Sequence, residues 1–186
     1  MGGTPLRGSR PGARLVSLEK DSTWRLGLLV APAGAGKTRA LQYWARQRAR
    51  ESGWRIAWLS LRPEHNLPGS FLIDLEACLG IPAESPGSPP EPVLCDANSV
   101  EIQGKMIELI NRLVDIPTPT ILVLDNYELI QTASIHQAVR LLVEYLPPEA
   151  RLMIASQTEP PLQQARLRAR RQLLELAPAD LQGSAG

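Results

Sequence analysis

A short apolar run that leads directly into a glycine-containing loop and then into a helical pattern is the feature that most restricts the fold of this chain. Residues 26–30 are LGLLV, residues 31–38 are APAGAGKT, and Leu41, Trp44 and Ala45 follow at helical spacing. An uninterrupted apolar run of this length predicts a strand buried on both faces, as in parallel sheets that are covered by helices. The segment therefore predicts the first strand, loop and helix of an α/β domain.

The same alternation continues along the chain. Further strands are predicted over 55–61, 120–124 and 151–156, and 173–176 is a fifth candidate. Helices are predicted over 37–52, over 69–79, from Asn98 or Ser99 to the prolines at 117 and 119, from a cap at Ser134 to Leu146, and over 161–171. Buried strands that alternate with helices predict a three-layer α/β sandwich with a central, mostly parallel five-stranded sheet.

Length and composition fit one folded domain. The chain has 186 residues, of which 44% are hydrophobic, enough to build a core. We predict a flexible lead-in over 1–14, a domain over 15–181 that contains a proline-rich surface loop over 82–97, and a disordered tail over 182–186.

Charge and apolar patterning exclude several classes of protein. Lys plus Arg (20) nearly balance Asp plus Glu (19), so a polyanion would bind at a local site and not through a global field. No apolar run reaches the 18 or so residues of a membrane span, and the N-terminus has no apolar leader segment, so a cytoplasmic protein with no membrane partner is expected. Cys78 and Cys95 have neither metal-ligand nor disulfide-framework spacing.

The loop after the first strand matches a phosphate-binding motif. The Walker A pattern is G-x-x-x-x-G-K-[ST], and Gly36, Lys37 and Thr38 match it while Ala31 replaces the first glycine. Backbone N–H groups of such a loop, with the helix that follows, favour a triphosphate; the lysine would contact the β- and γ-phosphates and the threonine hydroxyl would bind Mg²⁺. The predicted nucleotide-binding residues are Ala31, Pro32, Ala33, Gly34, Ala35, Gly36, Lys37, Thr38 and Arg39.

An acidic residue at the end of a neighbouring strand would complete such a site. Asp125 directly follows the TILVL strand, where a Walker B aspartate would stand. Its predicted role is to hold the water shell of Mg²⁺ opposite Thr38, so Thr38 and Asp125 are the predicted metal-site residues.

Longer blocks of the sequence resemble one family in order and spacing. These blocks are APAGAGKT, IAWLSL with FLIDLEACL, ILVLDNYELI, and the segment from SIHQAVRLL to APADL. They resemble the ATP-binding domain of the large LuxR-type, maltose-activator-like transcriptional regulators, which are signal-transduction ATPases with numerous domains (the STAND class). The resemblance covers about residues 10–181 and implies a P-loop NTPase fold of the ASCE type that binds ATP or ADP with Mg²⁺. An alanine at position 31 is usual in that family.

Three positions depart from the family pattern. Asn126 stands where a second aspartate is usual, Gln157 replaces an arginine, and Glu128 replaces a histidine. An amide cannot accept a proton from water, and glutamine brings no positive charge to a terminal phosphate. Asn126 and Gln157 are therefore the altered catalytic positions, and the resemblance implies intact nucleotide binding with weak or absent hydrolysis.

The resemblance also implies more protein than this chain contains. In the family, the domain continues into a helical lid, a winged-helix segment, a superhelical sensor and a DNA-binding helix-turn-helix. We expect either a fragment or a stand-alone relic that works with a separate protein partner, and no direct DNA binding by this domain. The arginines of 166–171 are expected to form a solvated helix face, and Trp44, Trp54 and Trp58 to lie in the core. His65 and His136 are expected to be isolated and non-catalytic.

Three functions remain in competition. The leading hypothesis is a nucleotide switch, in which bound ATP or ADP biases contacts with other domains, with at most slow ATPase activity. The second is a free-standing P-loop NTPase or small-molecule kinase, for which the 82–97 loop, with no Arg or Lys, would be a poor lid. The third is a non-hydrolysing nucleotide-binding interaction module, which Asn126 and Gln157 favour over the second.

Overall fold

The computed structural model of the chain describes residues 24–81 and 99–177 together with residue 180. The predicted lead-in (1–14), the proline-rich loop (82–97) and the tail (182–186) lie outside these described residues, as does Cys95.

The strands form a single sheet in which every observed pairing is parallel. The strands are β1 (Leu26–Val30), β2 (Arg55–Ser60), β3 (Thr120–Asp125), β4 (Ala150–Ser156) and β5 (Leu173–Leu176). Their order across the sheet is β2-β3-β4-β1-β5. The predicted five-stranded parallel sheet is confirmed, including the short fifth strand.

Helices connect these strands. They are α1 (Lys37–Glu51), α2 (Pro68–Cys78), α3 (Ser99–Val114), α4 (Ala133–Tyr145) and α5 (Gln164–Ala169), and 3₁₀ turns cover Pro63–Asn66 and Tyr127–Leu129. The last helix is shorter than predicted because Gln163 and Arg171, on either side of it, have left-handed backbones with φ of 50° and 56°. Ser134 lies inside the first turn of α4 and is not its cap. No helix in the described ranges is both long and apolar enough to cross a membrane.

Two hydrophobic cores lie on the two faces of the sheet. The larger packs α2, α3 and α4 against the sheet through residues such as Leu75, Leu109 and Leu142, all fully buried. The smaller packs Leu41 and Trp44 of α1 against the opposite face. Trp44 lies in this core as predicted, whereas Trp54 and Trp58 are only half-buried at its margin. Each fully buried leucine contributes about 1.5–3 kcal/mol. The predicted three-layer sandwich is therefore confirmed.

The parallel arrangement brings the carboxyl ends of the strands to one edge. Val30 of β1 pairs with Ser156 of β4, and Ser60 of β2 pairs with Asp125 of β3. We call this the carboxyl edge and the opposite side of the sheet the amino edge. The loops that follow β1, β3 and β4 all leave from the carboxyl edge, which is where ligands of open α/β sheets bind.

Candidate functional site

The loop between β1 and α1 is attached to the neighbouring strand. The N–H of Ala31 donates to the carbonyl of Ser156 at 3.1 Å, and the N–H of Ala35 donates to the carbonyl of Pro32 at 3.3 Å. Ala31 is buried, whereas residues 32–34 are exposed. The loop is thus anchored at its start and open to solvent above the carboxyl edge.

Gly34 and Gly36 are required by the shape of the backbone. Their φ angles are 76° and 79°, in the left-handed region that side chains rarely adopt, and a Cβ at either position would meet no protein atom within 4 Å. The glycines therefore serve the loop conformation and not close packing. The space beside them is open, as a site for a phosphate group requires.

Lys37 is the first residue of α1 and is 7% exposed. Its Nζ donates to the carbonyl oxygens of Ala31 at 2.7 Å and Pro32 at 3.0 Å. These two bonds compensate for the burial of the ammonium group, which would otherwise cost several kcal/mol. The side chain folds back over its own loop, with its charge next to the exposed residues 32–34.

Thr38 and Asp125 lie in direct contact although 87 positions separate them. The Thr38 hydroxyl donates to Asp125 Oδ2 at 2.8 Å, and the Asn126 N–H donates to Asp125 Oδ1 at 3.0 Å. The Asp125 carboxylate is 1% exposed. The structure thus brings together the two side chains that the sequence predicts as Mg²⁺ partners.

A hydroxyl and a carboxylate are hard oxygen donors and therefore fit Mg²⁺. In the described ranges no group of three or more His, Cys, Asp or Glu side chains is arranged to hold a metal. An ion at Thr38 and Asp125 would therefore keep waters or phosphate oxygens as its other ligands. Mg²⁺ commonly binds in this way, through one or two protein groups and the phosphates of a nucleotide.

Asn126 turns the chain immediately after β3. Its backbone is left-handed, with φ 61° and ψ 42°, a conformation that asparagine tolerates better than most residues. The turn directs Tyr127 into the core, where its hydroxyl lies 3.0 Å from His136 Nδ1. Burial raises the pKa of Tyr127 and lowers the pKa of His136, and Arg140 lowers the pKa of His136 further.

Gln157, the first residue after β4, lies at the same edge but contacts a residue absent from the predicted site. Its backbone N–H donates to Glu128 Oε2 at 3.0 Å, and its Nε2 donates to Glu128 Oε1 at 2.7 Å. Glu128 departs from the family pattern, but its residue type alone gave it no place in the predicted site. The sequence signal that could have found it is its position three residues after Asp125, in the turn that follows the third predicted strand.

The histidines correct a prediction. His65 is fully buried, its Nδ1 accepts from the Arg62 N–H at 2.9 Å, and its Nε2 lies 2.9 Å from Asp74 Oδ2. The expectation that His65 and His136 are isolated is therefore wrong. Each has a partner nine residues away along the chain, brought close by the fold.

Charged residues of the predicted helix faces are exposed. Arg39 lies exposed in the first turn of α1. On α5, Arg166 contacts Glu144 at 2.7 Å and Arg168 contacts Glu175 at 2.5 Å. These pairs are open to solvent and therefore stabilise the fold little, so the solvated α5 face is confirmed.

Comparisons with curated proteins bear on the predicted resemblance. No family model matches the chain. It is 33% identical over 162 residues to the HTH-type transcriptional regulator MalT of Yersinia enterocolitica, a match that covers 87% of this chain and 17% of the relative. It is 32% identical over 167 residues to MalT of Serratia proteamaculans, covering 90% of this chain and 18% of the relative. The chain thus spans less than a fifth of the length of the curated relatives that it matches.

Comparisons with solved structures bear on the fold. The Aeropyrum pernix ORC1 protein in complex with DNA superposes with a TM-score of 0.56 at 16% identity, covering 90% of this chain and 44% of that chain. A chain of Drosophila ORC bound to AT-rich DNA and Cdc6 superposes with a TM-score of 0.55 at 15% identity, covering 89% of this chain and 51% of that chain. These likenesses support the predicted P-loop NTPase fold of the ASCE type. The predicted resemblance is confirmed as well: along nearly nine tenths of its length, the chain is homologous to a segment of the MalT-type HTH transcriptional regulators.

Proposed function

We propose that this domain binds ATP or ADP with Mg²⁺ and that the bound nucleotide acts as a regulatory switch. The observation that carries the proposal is the contact of Thr38 with Asp125 beside the folded-back Lys37, below an open glycine loop. A lysine and a hydroxyl after β1, with a carboxylate at the end of β3 two strands away in the sheet, form the constellation that a magnesium–nucleotide complex requires.

Binding would exchange one set of Lys37 partners for another. The Nζ now donates to two backbone carbonyls, and phosphate oxygens would replace these acceptors without leaving the ammonium unpaired at any stage. The N-terminus of α1 and the loop N–H groups would add favourable dipoles for an anion. Mg²⁺, when bound at Thr38 and Asp125, would compensate the charge of the phosphate oxygens.

The relatives indicate the use of such a site. Because they are transcriptional regulators several times longer than this chain, we propose that the domain reports its nucleotide state to further domains or to a separate protein partner in the cytoplasm. We assign no direct DNA contact to this domain. The net charge of +1 and the ion pairs of the α5 arginines support that assignment.

The binding proposal is tested by titrating ATP and ADP into the wild-type chain by calorimetry, with Mg²⁺ present. Lys37→Ala should weaken binding by about 10- to 100-fold, because a charge-assisted phosphate contact is worth about 1.5–3 kcal/mol. Lys105→Ala is the matched control, since it removes the same charge from an exposed lysine that contacts Glu108 at 3.5 Å. Equal affinities in wild type and Lys37→Ala would contradict the proposal.

Slow or absent hydrolysis is the second part of the proposal. Asn126 cannot accept a proton from an attacking water, and the neutral Gln157 amide is already bonded to Glu128. This bond favours a non-hydrolysing module over a free-standing NTPase or kinase. We expect phosphate release well below about 1 s⁻¹, the low end of typical enzyme rates. Turnover at or above that rate would favour the NTPase hypothesis.

A further inference from the structure

Glu128 and Gln157 form a bridge across the carboxyl edge. Glu128 lies in the 3₁₀ turn after β3, Gln157 is the first residue after β4, and two hydrogen bonds of 3.0 and 2.7 Å join them. The residue before Gln157 is Ser156, whose carbonyl accepts the Ala31 N–H at the start of the glycine loop. The Glu128 carboxylate is therefore held on the strand that anchors the loop.

The charge of Glu128 is not neutralised locally. The two groups that donate hydrogen bonds to its carboxylate, the backbone N–H and the side-chain amide of Gln157, are uncharged. Within residues 24–81 and 99–177, no Lys, Arg or His lies at ion-pair distance from it. The half-buried Glu128 carboxylate therefore carries a negative charge at the carboxyl edge, the edge from which the proposed phosphate loop also leaves.

We propose that Glu128 is a specificity-determining residue that biases the site toward a nucleoside diphosphate and against a nucleoside triphosphate. This inference rests on the proposed nucleotide binding and adds the direction of its selectivity. The extra phosphate of a triphosphate brings additional negative charge to a site whose Lys37 and Mg²⁺ partners are common to both nucleotides. Repulsion from Glu128 therefore acts mainly on the triphosphate.

Gln157 is the positioning residue. Its two N–H donors grip both carboxylate oxygens, so the Glu128 side chain cannot turn toward solvent without losing both bonds. Loss of the Gln157 side chain leaves only the backbone bond and allows the carboxylate to move away from the site. The bias should then shrink without a change in total charge.

A purely structural function of the same bridge makes a different prediction. If the two bonds serve only to hold the 3₁₀ turn against β4, Glu128→Gln changes stability slightly and leaves nucleotide selectivity unchanged. Glu128→Gln is informative because it keeps an oxygen acceptor and the shape of the side chain while it removes the charge.

The experiment measures ATP and ADP dissociation constants by calorimetry for the wild-type chain, Glu128→Gln and the control Glu149→Gln. Glu149 is exposed and lies just before β4, at the amino edge, so its substitution makes the same charge change far from the loop. Glu128→Gln should raise ATP affinity about fivefold and change ADP affinity less than twofold, and the control should change neither affinity. The increase in ATP affinity should be smaller in about 1 M salt, where the Debye screening length is about 3 Å.

Gln157→Ala, alone and combined with Glu128→Gln, tests whether Gln157 acts by positioning the Glu128 carboxylate. Gln157→Ala should move the ATP-to-ADP affinity ratio in the same direction as Glu128→Gln, and it should have no effect on that ratio when Glu128 is already Gln. An unchanged ratio in Glu128→Gln, with both nucleotides still bound, would overturn this inference alone. Failure of the wild-type chain to bind either nucleotide would overturn the proposed function, and this inference with it.

Discussion

The two edges of the sheet each hold a cation packed against the strands, and the two cations are held in different ways. At the carboxyl edge, Lys37 is bonded to two carbonyls of an exposed loop. At the amino edge, the Arg151 guanidinium lies 5.2 Å from the ring centroid of Trp24 and 5.1 Å from that of Trp54, and it donates to the Trp24 carbonyl.

This difference separates the proposed nucleotide binding at one edge of the sheet from stabilisation of the fold at the other. The partners of Arg151 are aromatic rings and a backbone carbonyl that no ligand can readily displace, so its interactions stabilise the fold. Burial lowers the pKa of Arg151, and the nearby Arg25 lowers it further, but arginine remains charged at neutral pH. The partners of Lys37 are two carbonyl oxygens of the loop that carries the exposed residues 32–34, and we propose that phosphate oxygens take their place. We therefore expect Lys37 at the carboxyl edge to change its hydrogen-bond partners when a ligand binds, and Arg151 at the amino edge to keep its partners.

Arg151→Ala should give the largest effect, and it should remove only interactions at the amino edge. Two cation–π contacts and a charge-assisted hydrogen bond are lost, so the free energy of unfolding should fall by about 3 kcal/mol while nucleotide affinity stays unchanged. Urea denaturation with calorimetry measures both quantities. Arg46→Ala, at an exposed position of α1, is the control and should leave both within error. The comparison fails if Arg151→Ala weakens nucleotide binding without destabilising the chain.

Gly36→Ala tests whether the carboxyl edge depends on backbone shape. A side chain at φ 79° is strained even though no atom obstructs it, so the free energy of unfolding should fall by about 1.5 kcal/mol. Gly104→Ala is the matched control, because this exposed glycine in α3 also has open space around it but has no positive φ. The control should stabilise the chain by about 0.5–1 kcal/mol. Equal effects of the two substitutions in thermal or urea denaturation would show that the loop does not require a glycine at position 36.

Asp125→Asn sharpens the assignment of the metal site. The amide keeps an acceptor for Thr38 but loses the charge that attracts Mg²⁺, so affinity for ATP in Mg²⁺ should fall about tenfold and affinity in a chelator should not change. Asp115→Asn, exposed near the end of α3, is the charge-matched control. If wild type and Asp125→Asn respond alike to Mg²⁺ in calorimetry, Asp125 does not hold the ion.

The smallest expected effect is a pH dependence at His136. Burial and Arg140 lower its pKa in the folded state, so the unfolded chain binds more protons just below the ordinary histidine pKa of about 6.5. The free energy of unfolding should therefore be constant above that value and fall as the pH decreases toward the folded-state pKa. His136→Gln should flatten this dependence in urea denaturation at pH 5 to 8. An unchanged slope would show that other groups cause it.

Local patterns made most of the elements predictable. The run 26–30 is apolar at every position, which indicates a buried strand, and Gly34 and Gly36 can adopt the left-handed angles that the loop needs. Asp125 comes directly after the apolar run TILVL, so its place at a strand end was predictable as well. The ends of α5 were predicted less well, because Gln163 and Arg171 adopt left-handed backbones although neither is a glycine, so the sequence does not indicate these turns.

The sequence by itself determined the α/β class, the glycine loop with its lysine, and the acidic residue at the end of β3, because each depends on residues adjacent in the chain or spaced at a regular period. Only the tertiary structure decided which distant side chains meet. Thr38 contacts Asp125, Glu128 contacts Gln157, and Arg151 lies between two tryptophans. These contacts follow from the strand order β2-β3-β4-β1-β5, which places β4 between β3 and β1. That order is selected by packing of the whole sheet against its helices, and no local pattern of residues encodes it.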